Sequence, residues 1–314
     1  MFWNKKSNLR PLGIQLGDLA RMLNAGPIKA SLDGNTLLAK HPLYTTSVAV
    51  VPAAPVRATD GPIMAVVQVK TELPADVRDM MKQREWESAA AYNPMAALGA
   101  LTVDSGGIYV GSRLTIYEDE NAWQQLHLPL LLFSIVCGTE AILGAIQHTF
   151  GTLASRGGHS AWTAEDFDLL ERMLSRFCDC SSGGLGFTAE FEVKPRASLS
   201  GVGHPRTALL HMRADQPHPA LGGGLFILLQ LPHRISGEEE AHRVCARLNL
   251  LEMEAGDLPP HFGAWCLGRM GTNLAYVSFL PNQLHAVPNI AMNAAMWGLH
   301  RTEWAGKQLA AMGY

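Results

Sequence analysis

The sequence is poor in the features that most often give a function away. No long block of one charge sign occurs: 25 basic and 28 acidic residues leave a net −3. A phosphate partner leaves a basic stripe, so nucleic-acid binding is not expected. The most basic stretch, Lys5-Lys6 with Arg10, reads as a solvated tail. Cysteine is scarce and odd in number, and Cys137, Cys178, Cys180, Cys245 and Cys266 are scattered, several of them inside apolar runs. That usage excludes a disulfide framework and fits buried thiols in a reducing, cytoplasmic setting. No apolar core segment follows Met1-Phe2-Trp3-Asn4-Lys5-Lys6, so a secretory leader is not expected. The longest apolar run, Leu126 to Leu143, is broken by His127, Pro129, Ser134, Gly138, Thr139 and Glu140. It reads as a packed helix and not as a membrane span.

Catalytic motifs are missing too. Cys178-Asp179-Cys180 is the most suggestive local cluster, with His159 and His204 near it along the chain. Zinc sites prefer two to four residues between paired cysteines, and this pair lacks a second set of ligands. The segment reads better as a helix end running into a Ser181-Ser182-Gly183-Gly184 turn. Twelve histidines are dispersed (His41, His127, His148, His159, His204, His211, His218, His233, His242, His261, His285, His300) without the H-E-x-x-H spacing, and read as surface or loop residues. Gly183-Gly184-Leu185-Gly186 and Gly222-Gly223-Gly224 fit neither a P-loop nor a dinucleotide fingerprint. Both precede strands, which makes them turns. No G-x-S-x-G elbow exists. Glu238-Glu239-Glu240 favours a helix dipole and needs no catalytic role. Trp265 and Trp297 are expected in a core, while Trp86, Trp123 and Trp162 fall near element starts. No catalytic residue, cofactor or metal site follows, and the balance leans against an enzyme.

What the chain does have is core material and an internal echo. At 47% hydrophobic and 17% charged it can bury a large interior, which excludes a disordered chain. Ile63–Val69 (Ile-Met-Ala-Val-Val-Gln-Val) returns as Leu225–Leu231 (Leu-Phe-Ile-Leu-Leu-Gln-Leu) around one shared Gln. Leu19-Ala20-Arg21-Met22-Leu23 returns as Leu170-Glu171-Arg172-Met173-Leu174. A period of about 150–160 residues is too long for a solenoid and points to a duplicated domain. Each half carries the same element order. A helix (Gln15–Asn24; Ala164–Phe177) is followed by three or four strands, beginning in the first half with an Asp33-Gly34 hairpin. The near-continuous apolar strand Ile63–Val69 is expected to be covered on both faces or to lie at an interface. Then come a polar helix (Leu73–Ala91; Ser236–Asn249), two strands (Ala96–Val103 with Ile108–Tyr117; Phe262–Leu267 with Asn273–Leu280) and a long helix (Ala122–Gln147; Ile290–Leu309). Gly99-Ala100 aligns with Gly263-Ala264. Gly151–Ser160 is the natural linker, which places the units at residues 1–150 and 151–314.

The order helix, β-meander, helix, strand pair, helix resembles the fold of type III secretion chaperones and of the YbjN family. The features carrying the likeness are Leu19–Gly26, the Asp33-Gly34 hairpin, the polar helix Glu72–Ala91, the strand pair Leu98–Tyr117 and the acidic Glu118-Asp119-Glu120 before a final helix. The resemblance implies an α+β fold with antiparallel sheets, in two tandem copies related by a pseudo-twofold axis. Family members usually dimerise through the middle helix and its neighbouring strands, so a tandem chain implies an internal pseudo-dimer, monomeric or weakly self-associating. It further implies a protein or peptide partner, held as an extended segment at a sheet edge and in apolar grooves. Those chaperones are small, single-unit and distinctly acidic, and this chain departs from them by being doubled and only mildly acidic. The competing expectation is an enzyme or small-ligand-binding protein with a pocket at the seam between the units.

Overall fold

The computed structural model describes residues 12–52, 57–58, 61–117, 123–147, 158–193, 206–255, 259–268 and 273–314. The expected linker residues 151–157, the acidic triplet 118–120, His204 and the Pro-rich residues 53–55 lie outside them.

Helix α1 (Leu12–Asn24) presents Leu16, Leu19 and Leu23 to the core on one face. Strands β1 (Lys29–Asp33) and β2 (Thr36–Lys40) form the expected hairpin, with Gly34 at φ +58° supplying the left-handed residue of the turn. Strands β3 (Thr45–Pro52) and β5 (Gly61–Glu72) continue the meander, and the short β4 (Arg57–Ala58) folds back on β5. The polar helix is two helices, α2 (Ala75–Met81) and α3 (Glu85–Tyr92), broken at Lys82–Arg84. After a 3₁₀ turn at Asn93–Met95 come β6 (Ala100–Asp104) and β7 (Gly107–Tyr117).

The long helix, α4, spans Trp123–Gln147 and alternates register: a π segment at Trp123–His127, an α segment at Leu128–Phe133, a second π segment at Ser134–Gly138 and an α segment at Thr139–Gln147. Pro129 sits where the first π segment gives way, which follows from its missing N–H. By length and composition Trp123–Ile146 is apolar enough to cross a membrane, and 67% of its most apolar window is buried inside the fold.

The second half holds α5 (Ala164–Leu174), β8 (Asp179–Gly183), β9 (Gly186–Val193), β10 (Arg206–Arg213), β11 (Gly224–Arg234), α6 (Glu238–Glu254), β12 (Ala264–Leu267), β13 (Asn273–Pro281) and α7 (Ile290–Ala311). Strand β8 corrects the sequence reading: Asp179–Gly183 is an edge strand that follows a short turn after α5, and the hairpin turn is confined to Gly184–Leu185. Lacking any β-branched or aromatic residue, β8 forms because β9 pairs with it and α5 lies over it. The glycine runs do make turns, with Gly184 at φ +57° and Gly222 at φ +79°.

The fold is α+β with two antiparallel sheets. The strand order is β1-β2-β3-β5-β7-β6 in one, with β4 attached to β5, and β8-β9-β10-β11-β13-β12 in the other. A row of paired residues crosses the first sheet as Ser31, Leu38, Ser47, Lys70, Gly111 and Ala100. The corresponding row in the second is Ser181, Thr188, His211, Leu228, Val277 and Ala264. These registers place Gln68 level with Phe226 and not with Gln230, so the sequence match is four residues out. Because the slip is even, each apolar position stays on its own face, which is why the pattern looked continuous.

Candidate functional site

The inner strands β6 and β12 meet at a seam between the sheets, where α3 also packs on α6. Each inner strand is gripped by a buried asparagine. Asn93 donates to Leu101 O (3.1 Å) and accepts from Leu101 N (2.8 Å); Asn249 does the same with Trp265 (3.0 and 2.8 Å). Each strand is preceded by a glycine packed on its neighbour: a Cβ at Gly99 would lie 3.0 Å from the Val110 side chain, and one at Gly263 only 2.3 Å from Val277 O. The crossings are reciprocal as well. Arg113 exchanges backbone bonds with His261 (2.7 and 3.3 Å), while Phe279 N donates to Ala97 O (3.5 Å). Ala97 and His261 each stand two residues before their glycine, and Arg113 and Phe279 hold the same ladder position.

Around that crossing lies a buried polar network that the sequence did not reveal. The Glu252 carboxylate accepts bonds from Arg301 Nε (2.7 Å) and Nη2 (3.0 Å), Trp265 Nε1 (2.7 Å) and His261 Nδ1 (3.0 Å). Arg301 lies over the Tyr276 ring at 4.0 Å and also donates to Pro260 O at 2.8 Å. From the first half, Arg113 donates to Glu252 O (2.6 Å), Pro259 O (2.8 Å) and Thr115 Oγ1 (2.7 Å), and Gln68 donates to Met253 O (2.9 Å). Strand β5 buries Ala65, Val67 and Val69 on one face; on the other, Gln68 is partly covered by α6 while Lys70 and Glu72 stay partly or fully exposed.

Burial works against the Glu252 carboxylate, but Arg301 and His261 outweigh it and hold its pKa well below the ordinary range. His261 is pushed down by burial, with Glu252 opposing and the two arginines adding. Its Nε2 is buried without a hydrogen-bond partner among the described residues. His127, His218 and His261 are all buried; His218 and His261 lie in loops, whereas His127 lies in α4, which corrects the expectation of a surface or loop residue there. A cavity of about 20 Å³ lies next to the network, lined in part by Tyr276, Ser278, Trp297 and Arg301. That is room for about one water.

The outer ends of the sheets are built differently. Among the described residues β1 and β8, like β6 and β12, pair on one side only, but no second sheet lies against them. Beside β8, α5 exposes Leu169 and Met173 one turn apart, with Phe177 (68% exposed) just past its end and Leu185 at the hairpin. Beside β1, Met22, Leu32 and Leu38 are exposed in the same way. A groove of about 120 Å³ runs between α5 and the start of α7, lined by Trp162, Leu169, Met173, Ile290 and Met292 with Asp166 and His285. Asp166 Oδ2 accepts from Thr163 N (2.8 Å), closing a capping box, and lies 3.3 Å from His285 Nε2.

The residues singled out from sequence separate here. Trp123, Trp162 and Trp265 are buried, Trp297 is partly buried and Trp86 is exposed. Glu238-Glu239-Glu240 forms the first turn of α6. His159 is exposed, and its carbonyl accepts from Asn282 Nδ2 at 2.9 Å. Among the described residues no group of three His, Cys, Asp or Glu is arranged to hold a metal. No family model, curated protein or solved structure matches the chain.

Proposed function

We propose that the chain is a tandem pair of type III secretion chaperone-like units, residues 1–150 and 151–314, related by a pseudo-twofold axis at the seam. Its function is to hold an extended segment of a protein partner along its outer sheet edges. The matching six-strand rows, the paired Asn93/Asn249 and Gly99/Gly263 contacts and the reciprocal Arg113–His261 and Phe279–Ala97 crossings support the internal pseudo-dimer. The observation carrying the binding role is the contrast between edges. Among the described residues β6 and β12 lie against each other at the seam, whereas the outer edges of β1 and β8 have no strand beside them and lie next to exposed apolar side chains. An unpaired edge offers main-chain bonds to a bound strand, and flanking apolar residues select its alternate side chains.

The enzyme or ligand-pocket reading draws on the convergence of Glu252, His261, Tyr276 and Arg301 at the seam. With about 20 Å³ beside them, those residues have no space for a substrate, so the edges support the better reading.

Peptide-display selection against the intact chain tests the proposal. Selected peptides are expected to be extended with alternating apolar residues and to slow amide exchange in 29–33 or 179–183. Leu32→Asp or Phe177→Asp should abolish the protection at its own edge. Protection confined to the seam residues would overturn the assignment.

A further inference from the structure

Cys178 immediately precedes β8 and Cys180 is its second residue. Alternate residues of a strand point the same way, and both thiols face the C-terminal end of α5. Cys178 Sγ donates to Leu174 O at 3.7 Å and Cys180 Sγ to Glu171 O at 3.8 Å. The two thiols lie close enough to influence each other's protonation. Both are partly exposed and unoxidised. In the first sheet the residue before β1 is Ile28 and the second residue of β1 is Ala30, so packing beneath the helix does not require sulfur.

We propose that Cys178 and Cys180 form a reversible dithiol–disulfide site that exchanges with low-molecular-weight disulfides. The Cys180 thiolate attacks one sulfur of the small disulfide, forming a mixed disulfide and expelling one thiolate. The Cys178 thiolate then attacks the Cys180 sulfur, closing the protein disulfide and expelling the second thiolate. The protein loses two protons and two electrons, and the small disulfide takes them up as two thiols. Cys180 goes first because Cys178 beside it favours the Cys180 thiolate, whereas Cys180 disfavours that of Cys178. Burial raises both thiols, Cys178 to about 11, and Asp179 and Glu171 add to the effect, so exchange at neutral pH is slow.

Strand geometry sets the consequence. Residues two apart in a strand have Cα atoms about 6.6 Å apart, close to the roughly 6.8 Å upper limit for a disulfide. Closure therefore contracts β8, removes both thiol donors from the α5 carbonyls and loosens pairing at Cys180–Ala189. Strained, accessible disulfides are the readily reduced ones, so this site acts as a switch and not as a staple.

The test treats the intact chain with oxidised glutathione, followed by digestion, mass spectrometry and amide exchange. Expected are a Cys178–Cys180 link lacking two hydrogens, reversal by dithiothreitol, and at least tenfold faster exchange across 179–183. Cys178→Ser should instead accumulate glutathione on Cys180, and Cys180→Ser should slow the reaction of Cys178 at least tenfold. The double variant Cys178→Ile/Cys180→Ala, which copies the first sheet, should fold and show none of these changes. Stable glutathione adducts on wild-type Cys180 without ring closure, or an edge whose exchange ignores oxidation, would overturn the proposal.

Discussion

Replacing Arg301 by Met keeps the bulk of the side chain and removes the main cation facing Glu252. Two of the four donors to the carboxylate go with it, Nε at 2.7 Å and Nη2 at 3.0 Å, leaving Trp265 and His261. Breaking a buried ion pair by removing one partner costs about 3–5 kcal/mol, because an uncompensated charge stays behind. The cost carries a pH signature of opposite sign to the wild type. In the wild type the folded Glu252 pKa lies below its ordinary 4.5, so its contribution is present above that value and is lost as pH falls through the folded pKa. In Arg301→Met, burial has lost its main opponent and the folded pKa rises above 4.5. The variant then regains stability as pH falls from 7 towards 5. Urea unfolding followed by tryptophan fluorescence, at pH 7 and pH 5, measures both effects, with Trp265 as a reporter in the network. Glu252→Gln/Arg301→Met should cost less than the sum of the single changes by about 1–3 kcal/mol. A single-variant loss below about 1 kcal/mol, or a gap between variant and wild type that ignores pH, would refute the reasoning.

Arg113→Met leaves the buried Glu252 carbonyl and the partly buried Pro259 carbonyl without this donor, at about 1–3 kcal/mol for the first and less for the second, and calorimetry should resolve two unfolding transitions where the wild type shows one. Asn93→Ala and Asn249→Ala each remove two bonds to a buried strand and should lower stability by similar amounts, about 2–3 kcal/mol by chemical denaturation; sharply unequal losses would count against equivalent positions. Gly263→Ala places a Cβ 2.3 Å from Val277 O and should abolish soluble expression, whereas Gly99→Ala, 3.0 Å from a Val110 methyl, should lower the melting temperature and still fold.

Element order was legible because it rests on periodicity and turn chemistry, both local. Asp33-Gly34 announced its hairpin, and the apolar runs announced β5 and β11. The register between the halves was not legible. Asn93 to Gly99 spans six residues while Asn249 to Gly263 spans fourteen, so no single shift aligns the halves, and the Gln68/Gln230 match is a coincidence of composition. The break at Lys82–Arg84 had no Gly or Pro to mark it. The seam network was hidden for a different reason: its members come from six separate elements and a loop. Two traces existed, Arg113 inside an otherwise uncharged strand and Arg301 on the buried face of α7 with Ala294, Gly298 and Ala305. A charge set in an apolar face implies a buried counter-charge, but sequence does not say where it is.

The seam and the outer edges place opposite demands on the same fold. A strand edge left unpaired invites association, and a chain carrying four such edges would risk uncontrolled pairing. Here the two inner edges are occupied by each other's surroundings, and the contacts fixing them are those most costly to disturb: Arg113 on buried carbonyls, glycines with no room for a methyl group, and Glu252 with four donors. The outer edges carry none of this. β8 is short, has no β-branched residue and rests on thiols and on Ser182, whose N–H donates to Glu171 at 2.7 Å. Low local stability is what an edge needs if it must open to receive a strand. The same argument ranks the units. β1 is backed by Ile28 and by Asn24, which holds both the N–H and the C=O of Ala30, whereas β8 has Cys178 and Cys180 in the places of Ile28 and Ala30. Amide exchange in the free chain should therefore be faster across 179–183 than across 29–33, and β8 should be the first edge to accept a strand.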